Sequence, residues 1–385
     1  MIINSLIDTD LYKFTMMQAV LHNFPDAEVE YTFKSRGKES LLNIEYDLIK
    51  EVEHLCSLRF QPDELRYLST LPFIKKDFIE FLRLFQLNKN FINITHERSE
   101  QGLSITIKGP WLHTILFEVP VLAIVSELYF QDKPYHVDNT YEKITDKAKF
   151  IESNSYLKIA DFGTRRRYSY EMQNMVVQKY AYKNISNFIG TSNVHLAKEY
   201  GLKPIGTMAH EWLQAGQALG PRLIDSQKFM LEKWVQEYRG DLGIALTDVI
   251  GVDAFVKDFD LYFAKLYDGV RHDSGCPFVF GETIIKMYKD LGIDPKTKTI
   301  VFSDGLTPEK CKEIYSHLSR YINVSFGIGT NLTNDVDCGY NPLKIVMKMT
   351  KCNGQPVAKI SDSPGKGMCK DEEYVNYLKK VFDKK

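Results

Sequence analysis

The feature that most constrains the fold of this chain is an alternation that begins near residue 155. Short apolar segments alternate with stretches of helical spacing, and nearly every apolar segment ends in a glycine or a short polar cluster. The apolar segments cover 157–161, 186–190, 203–207, 243–248, 268–271, 299–303 and 323–328. Such repeated strand–loop–helix units predict a parallel sheet, which we expect to close into a barrel, with an open doubly wound sheet as the alternative. In barrels of this kind the active site forms from loops at the carboxyl ends of the strands.

The region before residue 155 mixes helical and strand periodicities. The predicted helices cover 8–22, 46–86 and 116–150, the last interrupted at Pro134. The predicted strands cover 28–33, 92–97 and 103–108, with a turn at 99–102 between the last two.

The end of the chain returns to strand-like patterns. Apolar runs at 343–349 and 356–360 flank Asn353-Gly354, which is a strong hairpin signal. We therefore expect an N-terminal α+β region (1–154), an α/β barrel (155–340) and a C-terminal hairpin and tail (341–385). The tail is expected to join the N-terminal region in a second, β-rich domain.

Charge and cysteine content exclude several classes of protein. The 385 residues carry 49 Lys and Arg against 50 Asp and Glu, a net charge of −1, so no overall basic field attracts nucleic acid. Six cysteines form no C-x-x-C pair, which argues against a structural zinc site and a disulfide framework.

The sequence offers no sign of a secretory signal or a membrane partner. The first basic residue is Lys13, so the start lacks the basic region of a signal peptide. The most apolar stretch, 115–130, contains Glu118, Pro120 and Glu127, which is not typical of a membrane span. We expect a soluble cytoplasmic protein.

Residues 161–167 (Asp-Phe-Gly-Thr-Arg-Arg-Arg) place three guanidinium groups at a predicted strand-to-helix turn. Free backbone N–H groups and the positive end of a helix dipole would point to the same place. Phe162 adds an aromatic plane. The turn therefore predicts a site for a flat, negatively charged ligand, with a solvated basic helix start as the alternative.

A histidine follows another predicted strand end. His210 would start a helix after Gly206-Thr207, where the helix dipole favours neutral, nucleophilic imidazole. Asp248, at the end of the 243–248 segment, is a candidate to orient that histidine. Each residue could instead only satisfy the backbone of a helix start.

Three further strand ends carry groups suited to sugar and phosphate. Arg271 and Asp273 would share one face of a strand, where arginine binds carboxylate or phosphate and aspartate binds ribose hydroxyls or Mg²⁺, unless the two form a structural salt bridge. The glycine turns at 302–305 and 326–330 could hold phosphate with backbone N–H groups.

Taken together, these segments resemble the bacterial type of nicotinate phosphoribosyltransferase. The matching segments are 9–14, 161–167, 206–212, 271–275, 302–304, 325–330 and 352–354, in family order. The resemblance implies an irregular TIM-like α/β barrel with a second β-rich α+β domain from the N- and C-terminal regions. It also implies a ligase-type reaction of NAD salvage: nicotinate and 5-phosphoribosyl 1-pyrophosphate give nicotinate mononucleotide and pyrophosphate, coupled to ATP hydrolysis, with ATP and Mg²⁺ as cofactors.

The resemblance assigns roles to individual residues. His210 would be phosphorylated transiently by ATP, Asp248 would orient it, and Asp273 would hold the ribose hydroxyls. The expected substrate-binding residues are Tyr12, Phe162, Gly163, Thr164, Arg165, Thr207, Arg271, Ser303, Asp304, Gly327, Gly329 and Thr330. Tyr12 and Phe162 would sandwich the pyridine ring. In related enzymes this tyrosine comes from a neighbouring subunit, which implies a homodimer.

Within the arginine turn, Arg165 is the expected contact of the nicotinate carboxylate, with Arg166 and Arg167 left to structural roles. Arg165, Thr207 and Arg271 would surround the base. The ligands of any metal ion are not assigned. One residue departs from the family pattern, since Cys276 stands where an aspartate is common.

Other enzymes and one binding protein compete with this interpretation. The nicotinamide-specific enzyme of the same superfamily is typically longer and has Tyr-Arg-Gly at the arginine turn, and its base carries no charge for Arg165 to bind. Quinolinate phosphoribosyltransferase is usually shorter and lacks the segment at 206–212. A non-catalytic nucleotide-binding barrel is the alternative outside enzymes.

Overall fold

The computed structural model describes residues 1–96, 102–183, 185–363 and 365–384, so most of the predicted turn at 99–102 lies outside it. The strands are β1 Glu28–Ser35, β2 Ile92–His96, β3 Leu103–Pro110, β4 Ile159–Asp161, β5 Phe188–Thr191, β6 Arg239–Leu242, β7 Ile244–Leu246, β8 Gly269–His272, β9 Thr299–Phe302, β10 Asn323–Ile328, β11 Ile345–Cys352 and β12 Gln355–Pro356.

Helices separate most of these strands. They are α1 Leu11–Asn23, α2 Glu45–Ser57, α3 Pro62–Ser69, α4 Lys76–Leu84, α5 Trp111–Thr114, α6 Glu118–Phe130, α7 Val137–Ser153, α8 Tyr170–Tyr182, α9 Val194–Tyr200, α10 His210–Leu219, α11 Ser226–Tyr238, α12 Val252–Asp258, α13 Leu261–Leu266, α14 Pro277–Asp290, α15 Pro308–Leu318, α16 Thr330–Thr333 and α17 Glu372–Val381. The interruption predicted at Pro134 is confirmed, because α6 ends before it and α7 begins after it.

The predicted parallel sheet is confirmed. Six strands pair in the order β5-β4-β10-β9-β8-β7. The long strand β10 lies in the middle and pairs with β4 through Phe326 and Ile159, and with β9 through Val324 and Ile300. Loops at the carboxyl ends of these strands consequently share one edge of the sheet.

One of the seven predicted strands, 203–207, is wrong, because this segment does not form a regular strand. Pro204 forms a single bridge with Thr191 of β5, and proline has no N–H for a ladder. The segment nonetheless bonds to both edges of the sheet: Ile205 N–H donates to Thr191 O (2.8 Å) and Thr207 Oγ1 donates to Ile244 O of β7 (2.8 Å). Regular parallel pairing therefore covers six strands, and full barrel closure stays a prediction.

The second sheet is antiparallel and joins the two ends of the chain. Its order is β12-β11-β1-β3-β2. The C-terminal strand β11 pairs along β1, with Tyr31 opposite Met349. Asn353 and Gly354, between β11 and β12, have φ of 48° and 76°, the left-handed pair that a type I′ turn requires. The last strands of the chain thus join the N-terminal strands in one sheet.

Helix α6 forms part of the core. The stretch Trp111–Phe130 has the length and hydropathy of a membrane span, but 94% of its most apolar window is buried inside the protein. Its two buried glutamates both have cationic partners: Glu118 pairs with Lys13 of α1 (2.5 Å) and Glu127 with Arg167 (2.7 Å). The helix therefore connects α1 and the arginine turn, the two segments that flank the site.

Candidate active site

A cavity of about 380 Å³ opens at the carboxyl ends of the parallel strands. Its walls include Phe162 after β4, Asp273 after β8, Ser303 after β9 and Gly329 after β10. The cavity thus lies at the edge where the strand–loop–helix pattern predicts an active site.

Most of the predicted site residues line this cavity. They are Tyr12, Phe162, Arg165, His210, Arg271, Asp273, Ser303, Asp304, Gly329 and Thr330. The structure brings them together from segments that span most of the chain.

The other predicted site residues lie behind the wall and shape it. A Cβ at Gly163 would come within 2.2 Å of the Thr333 side chain, and one at Gly327 within 2.2 Å of the Phe162 ring. Only glycine therefore allows the arginine turn and Phe162 to pack this closely. The hydroxyl of Thr164 is buried and receives a hydrogen bond from Gln173 (3.1 Å).

Two predicted residues act on the cavity through a neighbour. The Thr207 hydroxyl donates a hydrogen bond to the backbone carbonyl of Ile244 in β7. The Thr207 carbonyl accepts a hydrogen bond from the Thr15 hydroxyl of α1 (2.6 Å). Asp248 lies directly behind His210. Neither lines the cavity itself.

The three arginines of the turn have different surroundings. Arg167 is fully buried and bonds to both carboxylate oxygens of Asp8 (2.7 and 2.8 Å) and to Glu127 (2.7 Å). Arg165 and Arg166 both line the cavity. In the described part of the chain, no carboxylate lies within 4 Å of either guanidinium.

Arg166 departs from its predicted structural role, because it faces the cavity beside Arg165. Burial and the neighbouring charge of Arg165 lower the pKa of Arg166 to about 10. Two adjacent cations without carboxylate partners favour binding of an anion that neutralises them.

We call Tyr12, Phe162 and Arg165 the base corner. The guanidinium of Arg271 lies 5.7 Å from the centre of the Phe162 ring, so cations flank this ring as well. Aromatic planes beside guanidinium groups suit a flat acid, as the sequence predicts.

Tyr12, at the start of α1, lines the same cavity as Phe162 of its own chain. Gly206 lies against the start of α1, since a Cβ there would approach the backbone N of Tyr12 to 3.3 Å. The expectation that a neighbouring subunit supplies this tyrosine stays a prediction. The homodimer that rested on this residue stays a prediction.

His210 is the first residue of α10 and is buried. The residue before it, Ala209, has no side chain to cap the helix, so the first N–H groups of α10 remain available beside the imidazole. Burial lowers the pKa of His210 to about 3, and the nearby charge of Lys359 acts in the same direction. The imidazole is therefore neutral near pH 7.

Among the described residues, the polar contacts of the His210 ring are made by Nε2. This nitrogen lies 2.9 Å from Asp248 Oδ1, 3.4 Å from Asp273 Oδ2 and 2.6 Å from Lys359 Nζ. Asp248 also accepts from Lys359 (2.8 Å) and from Ser274 Oγ (2.6 Å). Burial alone would raise the pKa of Asp248, but these cationic and hydrogen-bonding partners hold it well below its ordinary value.

Arg271 and Asp273 pair as their spacing allows, at 3.1 Å between Nη2 and Oδ1. Ser303 joins them, because it accepts from Arg271 Nε (2.8 Å) and donates to Asp273 Oδ1 (2.9 Å). Burial acts to raise the pKa of Asp273, yet Arg271 and the other nearby cations lower it below its usual range. The result is a fixed, ionised carboxylate at the cavity wall.

The glycine turns after β9 and β10 form another part of the wall, which we call the phosphate end (residues 303–307 and 329–331). Thr307 caps α15 by accepting from Lys310 N–H (3.2 Å). Lys366, from the C-terminal segment, pairs with Asp304 at 2.5 Å. A lysine from near the end of the chain therefore lies over the phosphate end.

Several cavity residues were missed by sequence reasoning. They are Asp10, Glu118, Arg166, Ser192 and Lys348, which line the cavity, and Lys359 and Lys366, which contact its wall. No local motif marks Lys348 or Lys359. Their position depends on β11 pairing with β1, which brings the C-terminal segment to the site.

One cluster has the composition of a metal site. His210, Asp248 and Asp273 bring one ligand atom each within 4.8 Å of one another. The ammonium of Lys359 lies among them, 2.6 Å from His210 and 2.8 Å from Asp248. A divalent cation at this point would meet that ammonium at short range, so the donor set does not fit a resident metal ion.

Cys276, the departure from the family pattern, lies apart from the cavity. It is exposed and precedes α14, which begins at Pro277. The missing carboxylate therefore removes no cavity contact.

Comparison with known proteins gives a consistent result along the whole chain. The nicotinate phosphoribosyltransferase (NAPRTase) family profile matches residues 157–385, and that of the N-terminal domain of the family matches 7–126. A nicotinate phosphoribosyltransferase of Acidovorax sp. (strain JS42) is 53% identical over 396 residues, covering 100% of this chain and 99% of the relative. That of Xanthomonas euvesicatoria pv. vesicatoria (strain 85-10) is 52% identical, covering 99% and 98%.

Solved structures agree with the sequence comparison. The crystal structure of nicotinate phosphoribosyltransferase from Porphyromonas gingivalis has a TM-score of 0.95 at 34% identity, covering 99% of this chain and 100% of the other. That from Vibrio cholerae has a TM-score of 0.94 at 40% identity, covering 100% and 95%.

Proposed function

This chain belongs to the nicotinate phosphoribosyltransferase family, and from that premise we propose how its cavity performs the reaction and how ATP drives it. The reaction converts nicotinate and 5-phosphoribosyl 1-pyrophosphate to nicotinate mononucleotide and pyrophosphate, a step of NAD biosynthesis. One observation carries the proposal. Arg165, a cation without a carboxylate within 4 Å in the described chain, lines one cavity with Tyr12, Phe162 and His210.

The base corner would select the acid. The pyridine ring of nicotinate would lie against the Tyr12 and Phe162 rings, with its carboxylate bound to Arg165. Arg271, beside the Phe162 ring, would add positive charge. Nicotinamide has the same ring but no charge, so it would leave the buried cations unneutralised.

Transfer would occur between the base corner and the phosphate end. The pyridine nitrogen attacks C1 of the ribose while the bond from C1 to the pyrophosphate oxygen breaks. Asp273, fixed by Arg271 and Ser303, would hold the ribose hydroxyls. Backbone N–H groups at the phosphate end would bind the phosphates and stabilise the departing pyrophosphate.

His210 would couple this reaction to ATP. Because Asp248 and Lys359 contact Nε2, Nδ1 is the nitrogen left to act as a nucleophile. Nδ1 would attack the γ-phosphorus of ATP, forming an N–P bond as the bond to ADP breaks. The new phosphoryl charge would lie at the uncapped start of α10, where anions are stabilised. Phosphorylation would strengthen substrate binding, and hydrolysis would release product.

The coupling is tested with His210→Ala. We expect ATP-dependent turnover to be abolished while slower, ATP-independent phosphoribosyl transfer remains. Ser316→Ala, on the exposed face of α15, is the matched control and should behave as the wild type. Unchanged ATP stimulation in His210→Ala would overturn the coupling but leave the phosphoribosyl transfer intact.

The choice of base is tested separately. The enzyme is incubated with 5-phosphoribosyl 1-pyrophosphate and nicotinate, nicotinamide or quinolinate, with and without ATP, and the nucleotide is identified. Nicotinate mononucleotide is expected to form far faster than the product of either other base. Formation of nicotinamide mononucleotide at a comparable rate would contradict the role of Arg165, and no product from any base would favour a binding protein.

Mg²⁺ remains part of the proposal only as an ion that accompanies the phosphates of the substrates. The cluster of His210, Asp248 and Asp273 does not fit it, because Lys359 occupies that position. We also propose that 203–207 closes the six strands into an irregular barrel, which its bonds to β5 and β7 support. A homodimer and a cytoplasmic location stay predictions, and the mass in solution tests the first.

A further inference from the structure

Lys348, on β11, is a buried lysine whose side chain has no assigned partner. It is 9% exposed and lines the cavity. Across the described residues, its ammonium has no carboxylate within 4 Å and makes no side-chain hydrogen bond. Lys351, three positions along the same strand, is exposed and lies 3.7 Å from Glu30. A buried ammonium that faces a cavity without a partner points to a ligand that supplies the missing anion.

Charged groups from several elements surround Lys348. They are Glu118 of α6, Arg165 of the arginine turn, His210 of α10, Asp273 after β8 and Lys359 after β12. Among these groups, Glu118 has the strongest charge interaction with Lys348, but it is already paired with Lys13 at 2.5 Å. Lys348 therefore does not serve as the principal partner of Glu118.

Acidic side chains as well as cations act on the base corner. The charge of Arg165 interacts with both Glu118 and Asp10, each of which lines the cavity. A bound nicotinate would add a third carboxylate to this small volume. Lys348, with Arg165, Arg166 and Arg271 on the same cavity wall, adds positive charge that favours this addition.

We propose that Lys348 is a specificity-determining residue, which contacts the carboxylate of nicotinate together with Arg165. The ring would lie in the base corner with its carboxylate between the two cations. Lys348 then explains how the site favours the acid over the amide more strongly than Arg165 alone.

The position of Lys348 favours the carboxylate over a phosphate as its ligand. Its strongest charge interactions are with Glu118 and Arg165, on the side of the base corner. The phosphate end has its own lysine, Lys366, paired with Asp304.

Nicotinate binding should be linked to proton uptake through this residue. Burial lowers the pKa of Lys348 to about 7, and Arg165 and Lys359 act in the same direction against Glu118. A carboxylate in contact with the amine raises that pKa again. Near pH 7, binding of nicotinate should therefore take up roughly half a proton from solution.

The test compares Lys348→Met, Lys348→Arg and the control Lys351→Met in the full-length enzyme. Steady-state kinetics give KM for nicotinate and for 5-phosphoribosyl 1-pyrophosphate, and kcat/KM for nicotinamide. Calorimetry of nicotinate binding in two buffers of different ionisation enthalpy gives the protons taken up.

In Lys348→Met we expect KM for nicotinate to rise about 10- to 100-fold, the range for a charge-assisted hydrogen bond. KM for 5-phosphoribosyl 1-pyrophosphate and kcat/KM for nicotinamide should stay unchanged, and proton uptake should vanish. Lys348→Arg should recover most of the nicotinate affinity without proton uptake, because a guanidinium stays charged. Lys351→Met should match the wild type.

Each other outcome overturns the proposal. A rise in KM only for 5-phosphoribosyl 1-pyrophosphate would make Lys348 a phosphate contact. An equal loss with nicotinate and nicotinamide would indicate a merely structural role. Unchanged affinity, or unchanged proton uptake in Lys348→Met, would show that the amine does not meet the carboxylate.

Discussion

Two groups of buried or half-buried cations in this protein have opposite surroundings. Arg167 is enclosed by Asp8 and Glu127, and each of its three side-chain nitrogens donates to a carboxylate oxygen at 2.7–2.8 Å. Arg165 and Lys348 line the cavity, and no carboxylate lies within 4 Å of either in the described chain. Arg165 and Arg167 are two residues apart in the sequence.

The difference separates structural charge from binding charge. A buried cation that is paired with carboxylates holds segments together, here the segment before α1, helix α6 and the arginine turn. A buried cation without them is costly for the free protein, and a ligand can remove that cost. The predictions below test whether the two groups respond to substitution as this contrast requires.

The largest effect is expected from Arg167→Met. It leaves Asp8 and Glu127 buried without their cation, so the free energy of unfolding should fall by about 3–5 kcal/mol. Urea unfolding measures it. The triple variant with Asp8→Asn and Glu127→Gln should recover part of the loss. The contrast fails if Arg167→Met unfolds like the wild type.

Arg165→Ala should affect binding instead of stability. Loss of a charge-assisted contact with the carboxylate should cost about 2 kcal/mol, seen as a roughly 30-fold rise in KM for nicotinate. The free energy of unfolding should barely change. A larger loss of nicotinate affinity in folded Arg167→Met than in Arg165→Ala would count against the placement of the nicotinate carboxylate at Arg165.

Lys348→Met should stabilise the free enzyme, opposite to Arg167→Met. The pKa of Lys348 is lowered in the folded state. Between about pH 7 and 10, this amine is therefore protonated in the unfolded chain but largely neutral in the folded protein. The lysine therefore destabilises the fold most at or below pH 7, and less as pH rises. The variant should gain about 1 kcal/mol at pH 7 and lose this advantage towards pH 10. Unfolding curves of the variant and the wild type at several pH values measure this effect. A difference in the free energy of unfolding that stays constant with pH would contradict the prediction.

The smallest effect is expected from Cys276→Asp, which restores the residue common in the family. Cys276 is exposed and lines no part of the cavity. A surface substitution of this kind should change stability by less than about 0.5 kcal/mol. Both KM values should stay within about twofold of the wild type, since 0.5 kcal/mol corresponds to little more than a factor of two. A larger kinetic change would assign position 276 to the site.

Sequence reasoning found what local patterns encode. Strand-end loops predicted the edge of the sheet that carries the cavity, and the spacing of Arg271 and Asp273 predicted their shared face. It gave Arg166 a structural role, whereas Arg165 and Arg166 both reach the cavity from one short turn. It also gave 203–207 as a strand, where Pro204 interrupts the ladder that the apolar pattern suggests.

Sequence reasoning missed the lysines of the site for a different reason. Lys348 and Lys359 meet residues more than a hundred positions away, as the 149 positions between His210 and Lys359 illustrate. Their role depends on tertiary pairing and on a shortage of nearby carboxylates. Neither property has a sequence signature.

The pairing of β1 with β11 also has a consequence for synthesis of the protein. Thr350 bonds to Glu30 across 320 positions, so the antiparallel sheet forms only when nearly the whole chain exists. Contacts of such long sequence separation fold slowly. Because β11 carries Lys348, a nascent chain still on the ribosome lacks both this sheet pairing and one lysine of the cavity. A chain that ends before β11 should therefore bind nicotinate more weakly than the full-length protein.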